Sequence, residues 1–286
     1  MTGRTLVTTS DGITIQVTEL RPGSDQRLLM LHGVGRAGRT FSSLACLLPA
    51  QFSVATLDFR GHGNSEHADG RYRICDYLQD ALAAIDAEHG SLVLYGHSLG
   101  ALVATAAAAA RPSKVSAVIL EDPPSPAFWQ SLADTMYQPT FEAMQRWAGR
   151  KDLSVRQLAE NFGREVVKSW PDGRVMRISD VRDAVSLRFT ASCLRDMDPR
   201  VMTRILEGRW HEGYDQAASF AGVPCPTLLL RGDVSRGGML SADDATQLQG
   251  RMLDCLRIDF PTAGHLLHWQ VRSEVAGHVG TFLESL

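Results

Sequence analysis

The sequence predicts an α/β fold built on a mostly parallel sheet of eight strands, with helices on both faces and a helical cap insertion. Three observations predict it. Short, nearly continuous apolar strands alternate with helical segments in residues 1–125, a pattern typical of parallel strands covered on both faces. Residues 126–218 show helical periodicity only, and the strand pattern resumes in residues 219–286. We therefore predict a core of residues 1–125 and 219–286 and a cap of residues 126–218.

Turn signals and periodicity place the individual elements. Residues 5–9 and 13–19 flank Ser10-Asp11-Gly12 and are predicted to form an antiparallel hairpin. The other core strands are predicted at 27–31, 53–57, 91–95, 115–120, 227–230 and 254–258. The core helices are predicted at 41–48, 72–88, 101–110, 241–249 and 271–286. Within the cap we predict no strand, and helices at 128–136, 140–148, 154–168, 179–193 and 199–206.

Composition excludes several classes of protein. The 286 residues carry a formal net charge of −3, and no basic cluster of the kind that binds nucleic acid is present. No apolar run reaches the about 18 residues that a membrane-spanning helix requires, and the N-terminus lacks an apolar signal segment. The five cysteines have no metal-ligand spacing. We expect a cytoplasmic protein with reduced cysteines, without metal, cofactor, nucleic-acid or membrane partner, and leave homodimer formation open.

The segment Gly96-His97-Ser98-Leu99-Gly100 carries the strongest chemical signal. It directly follows a predicted strand and directly precedes the alanine-rich helix. A G-x-S-x-G segment in that context puts the serine on a strained turn, where the residues two before and two after must be small. The turn exposes the hydroxyl at a helix N-terminus, where the dipole favours developing negative charge. We predict Ser98 as a nucleophile.

A serine hydroxyl needs a base to remove its proton. Gly264-His265 lies after the last predicted strand and before the closing helix, which favours His265 among the nine histidines. His268 follows one helical turn later, and we expect it to pack beside the active loop. We predict His265 as the general base.

The motifs together resemble the α/β-hydrolase superfamily. The resemblance rests on His32-Gly33 after the third strand, the DFRGHGNS segment at 58–65, the GHSLG turn at 96–100, and Ala263-Gly264-His265. It covers the chain from the first hairpin to the last helix except the cap. It implies an oxyanion hole made by the backbone N–H groups of Val34 and Leu99. We also expect His32, Gly33 and His97 at the substrate pocket.

The acidic partner of His265 is open at this point. A carboxylate must orient the imidazole and stabilise its charged form. The superfamily commonly places it three residues beyond the glycine of the segment here spelled TLLLRG, where this chain has Ser235; Asp233 lies two residues earlier. The other family location is the end of the strand after the nucleophile helix, where Asp122 precedes Pro123-Pro124. We favour Asp122, keep Asp233 as the alternative acid, and list Glu121 and Asp243 behind them.

The predicted chemistry is acyl transfer to water without a cofactor, cleaving a carboxylic ester or lactone. Phe128 and Trp129 begin the cap and are expected at the pocket, which would suit an apolar or aromatic small-molecule substrate. Hydrolysis of a carbon–carbon bond in a diketone uses the same triad and stays open. Two other classes also stay open: a cofactor-free oxygenase that uses the His–Asp pair as its base, and a ligand-binding protein with a vestigial triad.

Overall fold

Ten strands form two sheets in the computed structural model, which describes residues 3–23 and 26–286. Eight strands form the large sheet in the order β1-β2-β4-β3-β5-β6-β9-β10, and β7 and β8 form a separate hairpin. The strands are β1 (Arg4–Thr8), β2 (Thr14–Arg21), β3 (Arg27–Leu31), β4 (Ser53–Asp58), β5 (Leu92–His97), β6 (Val115–Glu121), β7 (Val166–Ser169), β8 (Val175–Arg177), β9 (Thr227–Gly232) and β10 (Cys255–Phe260).

The large sheet is mixed. Strand β2 pairs antiparallel with both β1 and β4, whereas the neighbouring pairs from β4 to β10 are all parallel. The predicted mostly parallel sheet of eight strands is confirmed. Because parallel strands end at the same edge of a sheet, the carboxyl ends of β3, β5, β6 and β9 lie together. The predicted site residues near the ends of these strands therefore lie at this edge of the sheet.

Helices cover both faces of the sheet and form most of the region between β6 and β9. They are α1 (Ser42–Ala45), α2 (Ile74–Asp86), α3 (Leu99–Ala110), α4 (Pro126–Gln130), α5 (Tyr137–Trp147), α6 (Val155–Arg164), α7 (Ile178–Val181), α8 (Ala184–Leu194), α9 (Arg200–Leu206), α10 (Gln216–Ala221), α11 (Ala242–Gln249), α12 (Leu267–Gln270) and α13 (Arg272–Glu284). Short 3-10 turns lie at Gly38–Phe41, Leu132–Asp134 and Val234–Arg236. No helix in the described residues is long and apolar enough to cross a membrane.

Two apolar clusters hold the sheet between its helices. Successive side chains of a strand point to opposite faces, so β3 and β5 contribute to both clusters. Leu29 and Leu94 pack with α2 and α3 on one face, whereas Met30 and Tyr95 pack with α1 and α13 on the other. The alanines of α3 are almost all buried, which lets this helix lie close against the central strands.

One expectation about the cap region differs from the structure. We predicted a helix over 154–168 and no strand, but α6 ends at Arg164 and the chain then forms the β7–β8 hairpin. The turn of this hairpin is Pro171-Asp172-Gly173, with Gly173 at φ +84°. A Pro-Asp-Gly sequence is a strong turn signal, and its flanking segments are too short to show a clear strand period.

Candidate active site

The turn at Ser98 has the geometry that its sequence predicts. Ser98 lies between β5 and α3 with φ +57° and ψ −118°, a conformation that residues other than glycine rarely adopt. A Cβ atom at Gly96 would lie 2.3 Å from the Gly100 carbonyl oxygen, and one at Gly100 would lie 2.1 Å from the Leu31 carbonyl oxygen. Neither position can hold a larger residue without moving the backbone. The two glycines therefore permit the sharp turn that presents Ser98.

His265 is joined to Asp122. Its Nδ1 lies 2.7 Å from Asp122 Oδ2, and the carboxylate is fully buried. The backbone N–H of Gly232 donates to Asp122 Oδ1 at 3.1 Å, and that of Met239 donates to Oδ2 at 2.8 Å. Three donors therefore fix both carboxylate oxygens. The remaining imidazole nitrogen of His265, Nε2, is left available to a proton donor in the cavity.

The structure places the other three candidate acids elsewhere. Asp233 accepts hydrogen bonds from the Ser235 N–H and hydroxyl, and so caps the 3-10 turn that follows β9. Asp243 lies in the first turn of α11. Glu121 is adjacent to Asp122 in sequence, but its side chain binds His268 instead. Asp122 is thus the carboxylate that contacts His265.

Ser98 and His265 line the same small cavity, whose volume is about 40 Å³. Its roof comes from α5, which contributes Tyr137, Phe141 and Met144. A second cavity of about 260 Å³ adjoins it, since both are lined by Tyr137, Thr140, Arg182, His265 and Leu266. The described residues show no hydrogen bond between Ser98 and His265, a contact that often tightens only when substrate binds.

Val34 reaches this cavity from the loop after β3. Neither the Val34 nor the Leu99 backbone N–H donates to an acceptor in the described part of the chain. Leu99 is the first residue of α3, and the first N–H groups of a helix have no partner within it. Both predicted oxyanion donors are therefore unoccupied. Gly33 allows the close approach of this loop, because a Cβ there would lie 2.8 Å from His97 Nδ1 and 3.0 Å from Ser98 Cβ.

Two buried histidines hold the Val34 loop in place. His32 Nδ1 donates to the Gly33 carbonyl at 2.7 Å, and its Nε2 accepts from the Phe59 N–H at 3.1 Å. His62 Nδ1 donates to the Arg60 carbonyl, and its Nε2 accepts from the Gly35 N–H at 3.3 Å. Burial lowers the pKa of His32 to about 4 and that of His62 to about 3. Both rings are neutral, and His32 supports the loop instead of lining the cavity.

A second carboxylate–imidazole pair lies behind the first. The His268 Nδ1 donates to Glu121 Oε1 at 2.8 Å, and the Tyr95 hydroxyl donates to Glu121 Oε2 at 2.5 Å. The His268 Nε2 lies 3.0 Å from Thr40 Oγ1. Burial of Glu121 disfavours its charge, but attraction to His268 and these hydrogen bonds outweigh it and lower the pKa of Glu121 to about 2. In the sequence, Glu121 directly precedes Asp122, and His268 follows His265 by about one helical turn.

His97 connects the two pairs. Its Nε2 donates to the His265 carbonyl at 2.9 Å, and its ring packs 4.6 Å from His265 and 4.9 Å from His268. Burial lowers the pKa of His97 well below its usual value, so Nδ1 carries no proton. His97, Glu121 and His268 also have the composition of a metal site. The hydrogen bonds just described already occupy one nitrogen of His97, both nitrogens of His268 and both oxygens of Glu121, which favours a positioning network.

The structure does not bring the predicted cap aromatics to Ser98. Phe128 lines a wider cleft of about 940 Å³ on the outer side of Tyr137, beside the Val234–Arg236 turn. The Trp129 ring packs 4.1 Å from that of Trp210 and lines another cleft. Neither residue lines the two cavities that contain His265. The apolar lining of those cavities comes from α5 together with Val34, Met239 and Leu266 in the smaller cavity and Val167, Ile178, Leu266 and Trp269 in the larger one.

Comparison with known proteins identifies the family. Residues 28–278 match the family described as "Alpha/beta hydrolase family". The chain belongs to this family. The match confirms the resemblance that the motifs predicted.

Named relatives of this α/β hydrolase differ in how much they share with it. Lipase LipV of Mycobacterium tuberculosis is 40% identical over 113 residues, which are 39% of this chain and 42% of that protein. The 2-(acetamidomethylene)succinate hydrolase of Mesorhizobium japonicum is 35% identical over 111 residues, 38% of this chain and 39% of that protein. Both matches thus span less than half of the relative. The sn-1-specific diacylglycerol lipase ABHD11 of Danio rerio is 27% identical over 276 residues, which are 92% of this chain and 80% of that protein.

Solved structures share the fold of this α/β hydrolase over nearly its full length. The crystal structure of E-2-(acetamidomethylene)succinate hydrolase gives a TM-score of 0.76 at 21% identity and covers 99% of this chain and 100% of that one. The esterase EaEST from Exiguobacterium antarcticum gives 0.72 at 19% identity and covers 98% and 99%. At these identities the likeness shows the fold.

Sequence reasoning missed two residues of this α/β hydrolase that line the cavity with Ser98. Arg36 follows the predicted oxyanion donor by two residues, and Arg182 comes from the end of α7. A charged residue inside the glycine-rich segment HGVGRAGR was a usable signal for Arg36. Nothing in the local sequence distinguishes Arg182 from the other arginines of the cap region.

Proposed function

We propose that this protein hydrolyses a carboxylic ester or a related acyl compound through an acyl-enzyme formed on Ser98. The observation that carries the proposal is the juxtaposition at one cavity of Ser98, on its strained turn, and His265, whose Nδ1 is held by the buried Asp122. Strain in a backbone persists where the surrounding structure over-determines it, and such residues cluster at active sites. Relatives named as lipases and an esterase support acyl chemistry.

The proposed reaction has two halves. The Ser98 Oγ attacks the substrate carbonyl carbon while its proton passes to His265 Nε2, and Asp122 stabilises the resulting imidazolium. The Val34 and Leu99 N–H groups donate to the oxyanion, and each such donor typically contributes about 3 kcal/mol to transition-state stabilisation. The tetrahedral intermediate then collapses: His265 gives its proton to the leaving oxygen, and the acyl group stays on Ser98. Water, deprotonated by His265, then attacks the acyl carbonyl, and the second tetrahedral intermediate collapses: His265 returns the proton to Ser98 Oγ and the carboxylic acid leaves.

The first test is burst kinetics with 4-nitrophenyl acetate on the wild type and on Ser98→Ala. We expect a burst equal to the enzyme concentration in the wild type and a fall in kcat of about 10³-fold or more in the variant. Melting temperatures of both proteins check that the variant is folded. A Ser98→Ala variant that keeps the wild-type rate contradicts the proposal; turnover that needs oxygen would then indicate an oxygenase, and ligand binding without turnover a binding protein.

A further inference from the structure

We propose that Arg36 and Arg182 form an anion subsite beside Ser98, so that the substrate carries a free carboxylate close to its scissile carbonyl. The inference rests on the proposed acyl transfer and names the class of substrate for it. It adds a charge requirement to the apolar or aromatic substrate that the sequence suggests. The observation behind it is that two cationic side chains line one small cavity.

Arg36 is a buried cation without an anionic partner. The residue is 4% exposed, and in the described residues no carboxylate lies within 4.0 Å of its guanidinium and no acceptor takes a hydrogen bond from it. Its Nη1 is enclosed without any partner. Arg60, equally buried, shows what a structural arginine has here: carboxylates of Asp80 at 2.7 Å and Asp11 at 2.8 Å. Buried charges are normally paired in this way.

Two aromatic rings lie against the guanidinium group of Arg36. The guanidinium carbon lies 5.2 Å from the Trp269 ring centre and 5.6 Å from that of Phe189. Such cation–π contacts stabilise the positive charge. The N–H groups of a guanidinium point outward along its edges, where they match the two oxygens of a carboxylate. The described residues supply no acceptor for the guanidinium N–H groups of Arg36.

Arg182 brings a second positive charge to the same cavity. It is half-buried, lines both cavities, and has no carboxylate within 4.0 Å among the residues described. Burial, together with repulsion from Arg182, lowers the pKa of Arg36 to about 10, so Arg36 is still charged at neutral pH. Two like charges in one enclosed space repel each other. An anion bound between them removes this repulsion.

The other charges at these cavities do not neutralise the pair. Asp183 lines the larger cavity, but its Oδ1 accepts the Val185 and Ser186 N–H groups at the start of α8. Arg236 adds a further positive charge at the exposed rim, where its Nε donates to the Pro261 carbonyl. The described lining is positive overall, although the whole chain has a formal net charge of −3. The positive charge is concentrated where the substrate must bind.

The size of the site limits the distance between the anion and the reacting carbonyl. Arg36 and Ser98 both line the volume of about 40 Å³, which the cavity of about 260 Å³ adjoins; the cleft of about 940 Å³ shares Tyr137 and Arg236 with that second cavity and leaves room for the leaving group. Sites for small molecules typically occupy about 300–1,000 Å³. A short half-ester or half-amide of a dicarboxylic acid fits this arrangement, with its free carboxylate at the arginines and its acyl carbon at Ser98.

The test compares two methyl esters of nearly the same shape by proton release at constant pH. One is monomethyl succinate; the other is methyl 4-methylpentanoate, in which an isopropyl group replaces the carboxylate. We expect the wild type to show a kcat/KM about 10- to 100-fold higher for the anionic ester, the range expected for a charge-assisted hydrogen bond. Arg36→Met and Arg182→Met should each reduce this ratio by about 10-fold or more.

Arg39→Met is the matched control. Arg39 also packs on Phe189, at 5.7 Å, and donates to Ser192, but it does not line either cavity. The preference for the anionic ester should be unchanged in this variant. A wild type that prefers the neutral ester, or a preference that survives both Arg36→Met and Arg182→Met, overturns the subsite. Arg182 is half-buried, so its variant keeps the test valid should Arg36→Met fail to fold.

Calorimetric titration separates the subsite from the catalytic proposal. We expect succinate to bind Ser98→Ala, and Arg36→Met in the same background to lose that binding. Tighter binding of inorganic phosphate than of succinate contradicts the assignment of a carboxylate. If neither ester is cleaved but succinate binds through Arg36, the subsite stands and acyl transfer at Ser98 fails. If both esters are cleaved at similar rates and the cleavage depends on Ser98, acyl transfer stands and the anion subsite fails. If the protein neither cleaves an ester nor binds succinate, both proposals fail.

Discussion

Two of the three residues other than glycine with positive φ in the described chain are proposed catalytic groups. Ser98 has φ +57° and Asp122 has φ +44°. Each lies directly after a parallel strand, β5 or β6, where the chain must turn away from the sheet. The left-handed conformation costs about 1 kcal/mol or more for such residues. The neighbouring hydrogen bonds, including those of Gly232 and Met239 to the Asp122 carboxylate, offset this cost and fix the direction of the side chains.

Exchanging each candidate acid for its amide tests which one acts. Asp122→Asn should lower kcat by about 10³- to 10⁴-fold, because an amide cannot stabilise the imidazolium and leaves one backbone N–H facing an NH₂ group. Asp233→Asn should stay within about twofold of the wild type, since in the described residues the side-chain hydrogen bonds of Asp233 run to Ser235 and none to His265. Steady-state ester hydrolysis measures both. A larger loss in Asp233→Asn than in Asp122→Asn contradicts the assignment.

The strained turn at Ser98 and the place of His265 beside it could be expected from sequence because their signals are local. The strand, the small residues and the helix that define the serine turn occupy one short segment. The acid could not be decided locally, because Asp122 and Asp233 both follow strands. Contacts across 110 and 117 positions, from Gly232 and Met239 to Asp122, distinguish them. Arg36 and Arg182 were missed for the same reason, since only the folded cavity brings them together.

At the scale of elements, the strand–turn–helix unit of β5 and α3 depends on close backbone contact. Gly100→Ala would place Cβ 2.1 Å from the Leu31 carbonyl oxygen, so β3 and α3 must separate. We expect a loss of about 3 kcal/mol or more in the free energy of unfolding, the range typical of severe overpacking. Urea denaturation measures it.

Gly277→Ala is the control for this substitution. Gly277 lies in α13, and a Cβ there meets no atom within 4 Å. Alanine should stabilise the protein by about 0.5–1 kcal/mol, because glycine inside a helix is unfavourable. Equal effects of the two substitutions would show that helix propensity, and not the contact with Leu31, determines the result at Gly100.

Elements with strong periodicity were predicted closely, and short ones were not. The bounds of β3 are those expected, and α2, α3 and β6 deviate by a few residues at most. The expected helix at 41–48 is a 3-10 turn followed by the four residues of α1, because Pro49 leaves little room for more. The β7–β8 hairpin lies outside the large sheet and buries little. Without a buried face, its strands lack the alternation that would identify them.

At the scale of the whole molecule, buried neutral histidines link stability to pH. His62 has a pKa of about 3 in the fold, whereas an unfolded histidine titrates near 6.5. Between these values the unfolded chain binds the additional proton, so the contribution of His62 is complete above pH 6.5 and is lost as the pH falls. The same sign holds for His32, with its pKa of about 4.

Comparison with His62→Gln isolates this contribution. The difference in unfolding free energy between wild type and variant should narrow by about 3 kcal/mol between pH 6.5 and pH 4, because glutamine cannot take up the proton. Chemical denaturation across this range measures it. His89→Gln, at an exposed site, should keep the wild-type pH dependence. A constant difference between wild type and His62→Gln would mean that His62 is not held neutral by the fold.

The cytoplasmic location and the oligomeric state stay predictions.

The position of Asp122 has a consequence for how such an enzyme diversifies. Only Pro123-Pro124 and Ser125 separate the acid from the predicted cap, yet the bonds of Asp122 all run to core residues: Leu230, Gly232, Met239 and His265. The predicted cap segment, which covers the cavity, can therefore differ between homologues while Asp122 keeps its hydrogen-bond partners. Given the proposed anion subsite, substitutions in this segment, for example at Arg182, are expected to change the substrate preference without removing a partner of Asp122, whereas Arg36 belongs to the core loop that also carries Val34.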